Sequence, residues 1–285
     1  MKNILITGEN SYIGRSLETW LSSEPEKYQI ETLNMKNEKW VDKDFSKFDV
    51  VFHVAGIAHV SSDPKMEEIY YKVNRDLTIE AAEKAKKSGV KQFVFMSSII
   101  VYGDGSSNKT AINKNTIPQP SNFYGDSKLQ AEVGIKQLES EEFKIVVLRP
   151  PMIYGKGSKG NYPRLANLAK KTPLFPDFDN KRSMLHIDNL CEFIKIIIDF
   201  EENGLFFPQN KEYVKTSELV RLISEVHGKK IILTKVFNPI LKLLQGIGIV
   251  NKVFGSLIYE KSMSEYNKAI YQIRNFRESI ELTEN

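Results

Sequence analysis

Between residues 3 and 148 the chain repeats one local pattern: a short continuous apolar run, a turn of small residues, then apolar residues three and four apart. Residues 3–6 enter the turn Thr7-Gly8, after which Ile13, Leu17, Trp20 and Leu21 mark a helical face. Residues 28–33 read as a second strand, and residues 49–54 as a third that ends at Ala55-Gly56. A run that is apolar at successive positions needs cover on both faces, which is the condition of a buried parallel sheet. A helix over residues 66–87 carries Ile69, Val73, Leu77, Ile79, Ala82 and Ala85 and stops at Ser88-Gly89. A strand over 92–96, a polar loop through Ser121, a helix over 122–139 and a strand over 144–148 complete the series. The alternation predicts an α/β fold on a doubly wound parallel sheet.

Beyond Arg149 the texture changes. Gly, Pro and Lys crowd residues 150–163, and a helix is predicted around 164–171. A helix near 189–200 returns to the main domain, while 216–227 and 239–254 suit a smaller C-terminal lobe. The expected division is a main domain over 1–155 with a returning segment near 183–200, and a lobe made of 156–182 and 201–285.

Forty Lys and Arg against 36 Asp and Glu give a net charge of +4, with no run of five like charges, so nucleic acid is not the expected partner. The single cysteine, Cys191, cannot form an internal disulfide, and no signal-like segment precedes the first strand, so a cytoplasmic location is expected. The most apolar stretch, residues 237–258, is interrupted by Lys242, Gln245, Asn251 and Lys252, which predicts no membrane span. Residues 237–254 have the pattern of an amphipathic interfacial helix, although packing within the small lobe is the expected reading. His53, His59, His186 and His227 lack metal-ligand spacing, so no metal is expected. Cys191 reads as a small buried hydrophobe.

Two groups of residues carry chemistry. The segment from Thr7 through Ser11, Tyr12 and Ile13 to Gly14 joins the first strand to the first helix, where bare backbone and a helix N-terminus can receive a pyrophosphate. An ordinary βα turn has the same appearance, and Ser11 stands where the usual fingerprint has its middle glycine. The second group is Tyr124 and Lys128, four apart and so on one face of a helix, with Ser98 at the end of the fourth strand. A lysine cation beside a phenol lowers the phenol pKa and fits it for proton transfer to a sugar or alcohol oxygen.

Residues Thr7 to Gly14, His53-Val54-Ala55-Gly56, Asn74, Met96 to Gly103, Tyr124 with Lys128, Arg149-Pro150 with Tyr154-Gly155, and Arg182 with His186-Ile187-Asp188 occur in the order seen in extended short-chain dehydrogenase/reductases. Over nearly its whole length the sequence resembles their nucleotide-sugar epimerase, dehydratase and reductase branch. The resemblance implies a Rossmann domain for a nicotinamide dinucleotide and a C-terminal lobe for a nucleotide-sugar, with a homodimer as the expected assembly. It implies Tyr124 as general acid/base, Lys128 as the residue that binds the nicotinamide ribose and tunes Tyr124, and Ser98 as the residue that orients the reacting oxygen. Ser98 rather than Ser97 matches, because it lies four residues before Tyr102. Cofactor contacts are implied for Gly8, Ser11, Tyr12, Ile13, Gly14, Val54, Ala55, Gly56, Asn74 and Pro151, and substrate contacts for Met152, Asn161 and Arg182, with Tyr162 a weaker candidate. His53 is expected to be a core residue. Met152 departs from the family's usual asparagine.

Other departures narrow the chemistry. The 4,6-dehydratases place an Asp-Glu pair after the serine or threonine; Ile99 and Ile100 stand here and cannot move protons, which argues against dehydration. Ile99 also replaces the cysteine of 3,5-epimerising reductases. At the end of the second strand Asn34 occupies the position of the carboxylate that selects NAD, and Lys36 follows, so NADP(H) is favoured with NAD(H) possible. Arg15 can add a second cation, and Asp44 or Asp42 is expected near the adenine. The leading expectation is NAD(P)H-dependent reduction of a UDP-linked 4-keto-6-deoxy-N-acetylhexosamine for surface polysaccharide synthesis. The alternatives are a UDP-sugar 4-epimerase with tightly bound NAD, and a catalytically idle dinucleotide sensor.

Overall fold

The computed structural model describes residues 1–57, 63–103, 111–244 and 248–285; His59 and Gln245 lie outside them. Six parallel strands form the central sheet: β1 (Lys2–Thr7), β2 (Tyr28–Leu33), β3 (Val50–His53), β4 (Gln92–Met96), β5 (Lys144–Leu148) and β6 (Gly204–Phe206), in the spatial order β2-β1-β3-β4-β5-β6. β1 lies between β2 and β3, so the order reverses there and the carboxyl ends of β1 and β3 open a crevice at the switch point. The principal covering helices are α1 (Tyr12–Leu21), α2 (Leu77–Lys87), α3 (Phe123–Lys136) and α4 (Ile187–Asp199). This is the Rossmann architecture.

The pleat explains how one sheet has two cores. Ile4, Ile6, Phe52, Val94 and Val146 point to the face covered by α1 and α4, while Leu5, Val51, Phe93, Phe95 and Val147 point to the face covered by α2 and α3. A third cluster, built around Tyr154, Tyr162, Leu219, Val220 and Ile280, fills the smaller lobe. The sheet takes in Gly204–Phe206, so the returning segment runs past α4 into one more strand. The region around 239–254 is two short helices, Asn238–Leu243 and Gly248–Phe254, rather than one.

Candidate active site

At the end of β1 the chain turns through Gly8, at φ +99°, and Asn10, at φ +65°. Ser11 then caps α1, its Oγ accepting from the Gly14 amide at 3.0 Å. A Cβ on Gly8 would stand 2.9 Å from the Ala55 nitrogen, so the loops after β1 and β3 meet backbone to backbone. Tyr12 and Ile13 begin the helix, where no intrahelical carbonyl reaches their amides. The Ile13 side chain packs on the core below. The Tyr12 ring faces α4, its hydroxyl buried where a Cβ on Gly155 would come within 2.6 Å, and burial raises its pKa. The result is a bare-backbone cradle at the positive end of a helix, beside a 190 Å³ hollow lined by Gly8, Glu9, Asn10, Gly14, Arg15 and Thr32. A side chain at Gly8 would push the loop after β3 away from it, and without one the residues present fit the pyrophosphate of a dinucleotide.

The loop after β3 is held from behind. The Val54 amide donates to the Thr7 carbonyl at 3.2 Å. Gly56 has no room for a Cβ, which would lie 2.9 Å from Asn74 Oδ1 and 3.1 Å from Lys128 Nζ. Asn74 sits in a π-helical segment, Tyr71–Asp76, of the kind found inside helices at functional sites. Its Oδ1 accepts from the Ile57 amide at 2.8 Å, and its Nδ2 donates to the Ile57 carbonyl and to Ser127 Oγ, both at 3.2 Å. Asn74 therefore fastens the loop to α3 with its whole amide. His53 is fully buried. The Thr78 hydroxyl donates to the Asn74 carbonyl at 2.8 Å, so its oxygen accepts from His53 Nε2 at 3.1 Å and leaves Nδ1 to accept from Thr7 at 2.8 Å. Burial, aided by the Lys128 charge, lowers the imidazole to about 3, so it is a neutral tie between β1, β3 and α2.

Tyr124 and Lys128 lie one turn apart on α3, 9% and 5% exposed. Asn122 caps that helix, its Oδ1 accepting from the Gly125 amide at 2.9 Å. A Cβ on Gly125 would stand 2.7 Å from the Ile100 carbonyl, so glycine lets α3 approach the turn Ile99–Tyr102 that follows β4. Ser98 caps that turn, its Oγ accepting from the Ile100 amide at 3.3 Å, and its side chain neighbours Tyr124. Burial pushes the Tyr124 phenol up to about 12, opposed by the neighbouring Ser98 hydroxyl. Lys128 Nζ donates to the Met96 carbonyl at 3.0 Å and sits 4.7 Å from the Phe95 ring centre; burial lowers it to about 8, with Glu132 opposing. Here the structure differs from the expected depression of Tyr124. The ammonium reaches away to Met96, and loss of water around the phenol is the larger effect.

Glu132 continues the same helical face, and the sequence analysis missed it. Its carboxylate accepts from Arg149 Nε at 3.1 Å and from Ser97 Oγ, while Arg149 Nη1 donates to Tyr102 Oη at 2.7 Å. Glu132 and Arg149 are 7% and 6% exposed, a buried ion pair directly behind Ser98 and Lys128. The available signal was the i, i+4 step from Lys128 to Glu132.

The other expected positions divide. Asn34 Oδ1 accepts from the Lys36 amide at 2.9 Å, turning the chain at the end of β2; Lys36 is exposed, and Arg15 donates to Asn10 at the rim of the hollow. Asp44 is exposed, its carboxylate accepting from the Ser46 amide at 2.9 Å and hydroxyl at 2.7 Å, which holds its pKa down; Asp42 is exposed as well. Pro151 is buried. Met152 pairs with Met184 and packs on the lobe's core. Asn161 is exposed at the start of the helix Asn161–Ala169. Tyr162, expected as a weaker substrate contact, instead stacks on Tyr154 at 5.2 Å and donates to Glu284 at 3.0 Å, which makes it a core residue. Arg182 donates to the Gly255 carbonyl at 3.1 Å and the Asn251 carbonyl at 3.3 Å, at the C-terminal end of the helix Gly248–Phe254. Cys191 is buried, which raises its thiol pKa. His186 caps α4 and His227 contacts Glu284 at 2.7 Å. The crevice thus gathers Gly8, Gly14, Ala55, Gly56 and Ser98 from the ends of three strands, with Tyr124 and Lys128 from α3.

Residues 4–206 match the sequence profile of the NAD dependent epimerase/dehydratase family. The chain is 30% identical over 245 residues to UDP-glucose 4-epimerase of Vibrio cholerae, an alignment that spans 77% of this chain and 74% of the relative. It is 29% identical over 250 residues to N-acetyl-alpha-D-glucosaminyl-diphospho-ditrans,octacis-undecaprenol 4-epimerase of Escherichia coli O157:H7, spanning 80% and 73% of the two chains. Among solved structures, UDP-N-acetylglucosamine 4-epimerase of Bacillus cereus superposes with a TM-score of 0.75 at 16% identity, over 99% of this chain and 97% of that one.

Proposed function

Because the chain belongs to the NAD dependent epimerase/dehydratase family, we propose that its crevice carries out oxidation or reduction at C4 of a nucleotide-linked sugar, with Tyr124 as the proton carrier. One observation carries the proposal: a buried tyrosine beside Ser98, one helical turn from a lysine whose ammonium borders the Gly56 loop. The dinucleotide, when bound, supplies or receives the hydride. Gly8, Tyr12, Ile13, Gly14 and the Ala55-Gly56 loop hold it, and Lys128 receives its nicotinamide ribose. Ser98 orients the sugar oxygen and Tyr124 moves the proton.

A phenol held up to about 12 is protonated at neutral pH, so Tyr124 is ready to donate to a forming alkoxide. This fits net reduction of a UDP-linked 4-keto-6-deoxy-N-acetylhexosamine by a cytoplasmic homodimer serving surface polysaccharide synthesis. The absence of a carboxylate at Asn34, with Lys36 beside it, supports NADP(H) over NAD(H) in that reaction. A second reading, 4-epimerisation with retained NAD, is favoured by the names of the V. cholerae and E. coli relatives. Titration with both dinucleotides separates the two. Lys36→Ala is expected to weaken NADPH about ten- to a hundredfold and leave NADH nearly unchanged, since a charge-assisted hydrogen bond contributes about 1.5–3 kcal/mol. A wild type that retains NAD through purification and does not exchange it would put the epimerase reading first.

The Lys128 ammonium gives a pH dependence of definite sign. Its pKa of about 8 means the charge fades as pH rises through that value. Dinucleotide affinity is expected to fall from neutral to alkaline pH in the wild type and to stay level, at a lower value, in Lys128→Met. Parallel profiles would show that Lys128 does not contact the cofactor.

A further inference from the structure

The smaller lobe presents an apolar surface that the crevice does not use. Ile232 is exposed and stands in register with Leu174, which is exposed too. The chain then runs through Val236 and Phe237 into the helix Asn238–Leu243, none of whose residues is buried. Val236 is 77% exposed, Ile240 60% and Leu243 85%. The expectation that this stretch packs inside the lobe fails for residues 236–243. One exposed leucine is ordinary, but five large apolar side chains along one run, with Leu174 on the strand paired to it, mark a contact surface.

The charge around this surface is predominantly positive. No Asp or Glu occurs between Glu225 and Glu260, while Lys229, Lys230, Lys235, Lys242 and Lys252 do. The first four of those lysines are exposed. Of the two acids on the neighbouring segment, Asp177 is paired with Lys215 at 2.8 Å and Asp179 is exposed, so lysines outnumber unpaired acids here four to one. A second copy docking through the same face would bring lysine against lysine. A sheet of negative head groups over hydrocarbon answers both features, because the ammonium groups stay at head-group level while the apolar side chains enter below. Among the described residues no helix is long and apolar enough to cross a membrane, so the contact is with the surface.

We propose that residues 229–243, together with Leu174, dock the protein on the surface of an anionic phospholipid bilayer. The proposal does not depend on the chemistry at C4, and binding alone tests it. The full chain is sedimented with vesicles of phosphatidylcholine alone and of phosphatidylcholine mixed equally with phosphatidylglycerol. Binding to the mixture, little binding to phosphatidylcholine, and weakening with rising salt are expected. Ile240→Asp with Leu243→Asp, and separately Lys235→Glu with Lys242→Glu, should each lower binding at least about tenfold. Because these side chains are exposed, the thermal midpoint stays at the wild-type value and certifies folding. Absence of binding to the mixed vesicles would overturn the proposal, as would undiminished binding by both variants. So would a wild-type dimer that Ile240→Asp with Leu243→Asp splits while neither protein binds vesicles, because a second copy would then cover the surface.

Discussion

Tyr124→Phe is expected to lower turnover by about 10²- to 10⁴-fold while the thermal midpoint and dinucleotide affinity remain near wild type, the loss expected when a general acid is removed. The ring that packs at 6.0 Å from Tyr70 is kept, so no cavity forms. The neighbouring hydroxyl, that of Ser98, is only partly buried and keeps its bond from the Ile100 amide, so no deeply buried polar atom is stranded. What disappears is the phenol proton of α3 that stands beside Ser98. Stopped-flow turnover of both proteins, with their melting curves, checks the expectation; wild-type rates in the mutant would remove Tyr124 from the mechanism.

Glu132→Ala is expected to be the most destabilising single change near the site, at about 3–5 kcal/mol, because it leaves Arg149 buried and uncompensated. In a chain of this size that lowers the thermal midpoint by roughly 10 °C. The double variant Glu132→Leu with Arg149→Met should recover most of the loss, since a buried ion pair and an apolar pair of similar volume are often close in stability. The two differ in function. Without Glu132 nothing offsets the desolvation of Lys128, so the lysine loses its proton at lower pH and the fall in dinucleotide affinity moves to lower pH in both variants. Melting curves and affinity against pH separate these effects. A Glu132→Ala midpoint equal to wild type would show that Arg149 finds another partner.

The strands were legible because local and tertiary requirements coincide in them. Residues 28–33, 92–96 and 144–148 are strands from end to end, and every residue of β4 is buried, as the apolar run from Phe93 to Met96 demands, with Gln92 donating to the Ile197 and Glu202 carbonyls. The step from Tyr124 to Lys128 was legible for the same kind of reason, since four residues on a helix fix a shared face. The turn that the Asp44 carboxylate closes on Ser46 was not, because chain position alone does not reveal a local side-chain bond. Tyr162, Arg182 and Glu132 take their roles from partners distant in sequence: Glu284, the carbonyls at 251 and 255, and Arg149. The apolar run near 239–254 carries helical periodicity but not the information of which side stays uncovered.

Hydride transfer to C4 is the centre of the proposed function, and isotope labelling measures it directly. The enzyme is mixed with a UDP-linked 4-keto-6-deoxy-N-acetylhexosamine and NADPH deuterated at nicotinamide C4, and the sugar product is examined by NMR and mass spectrometry. The predicted result is one deuterium at sugar C4 for each NADPH oxidised, a result that disappears with Tyr124→Phe. A sugar returned unchanged and free of deuterium, with wild-type protein folded and dinucleotide bound, would contradict it.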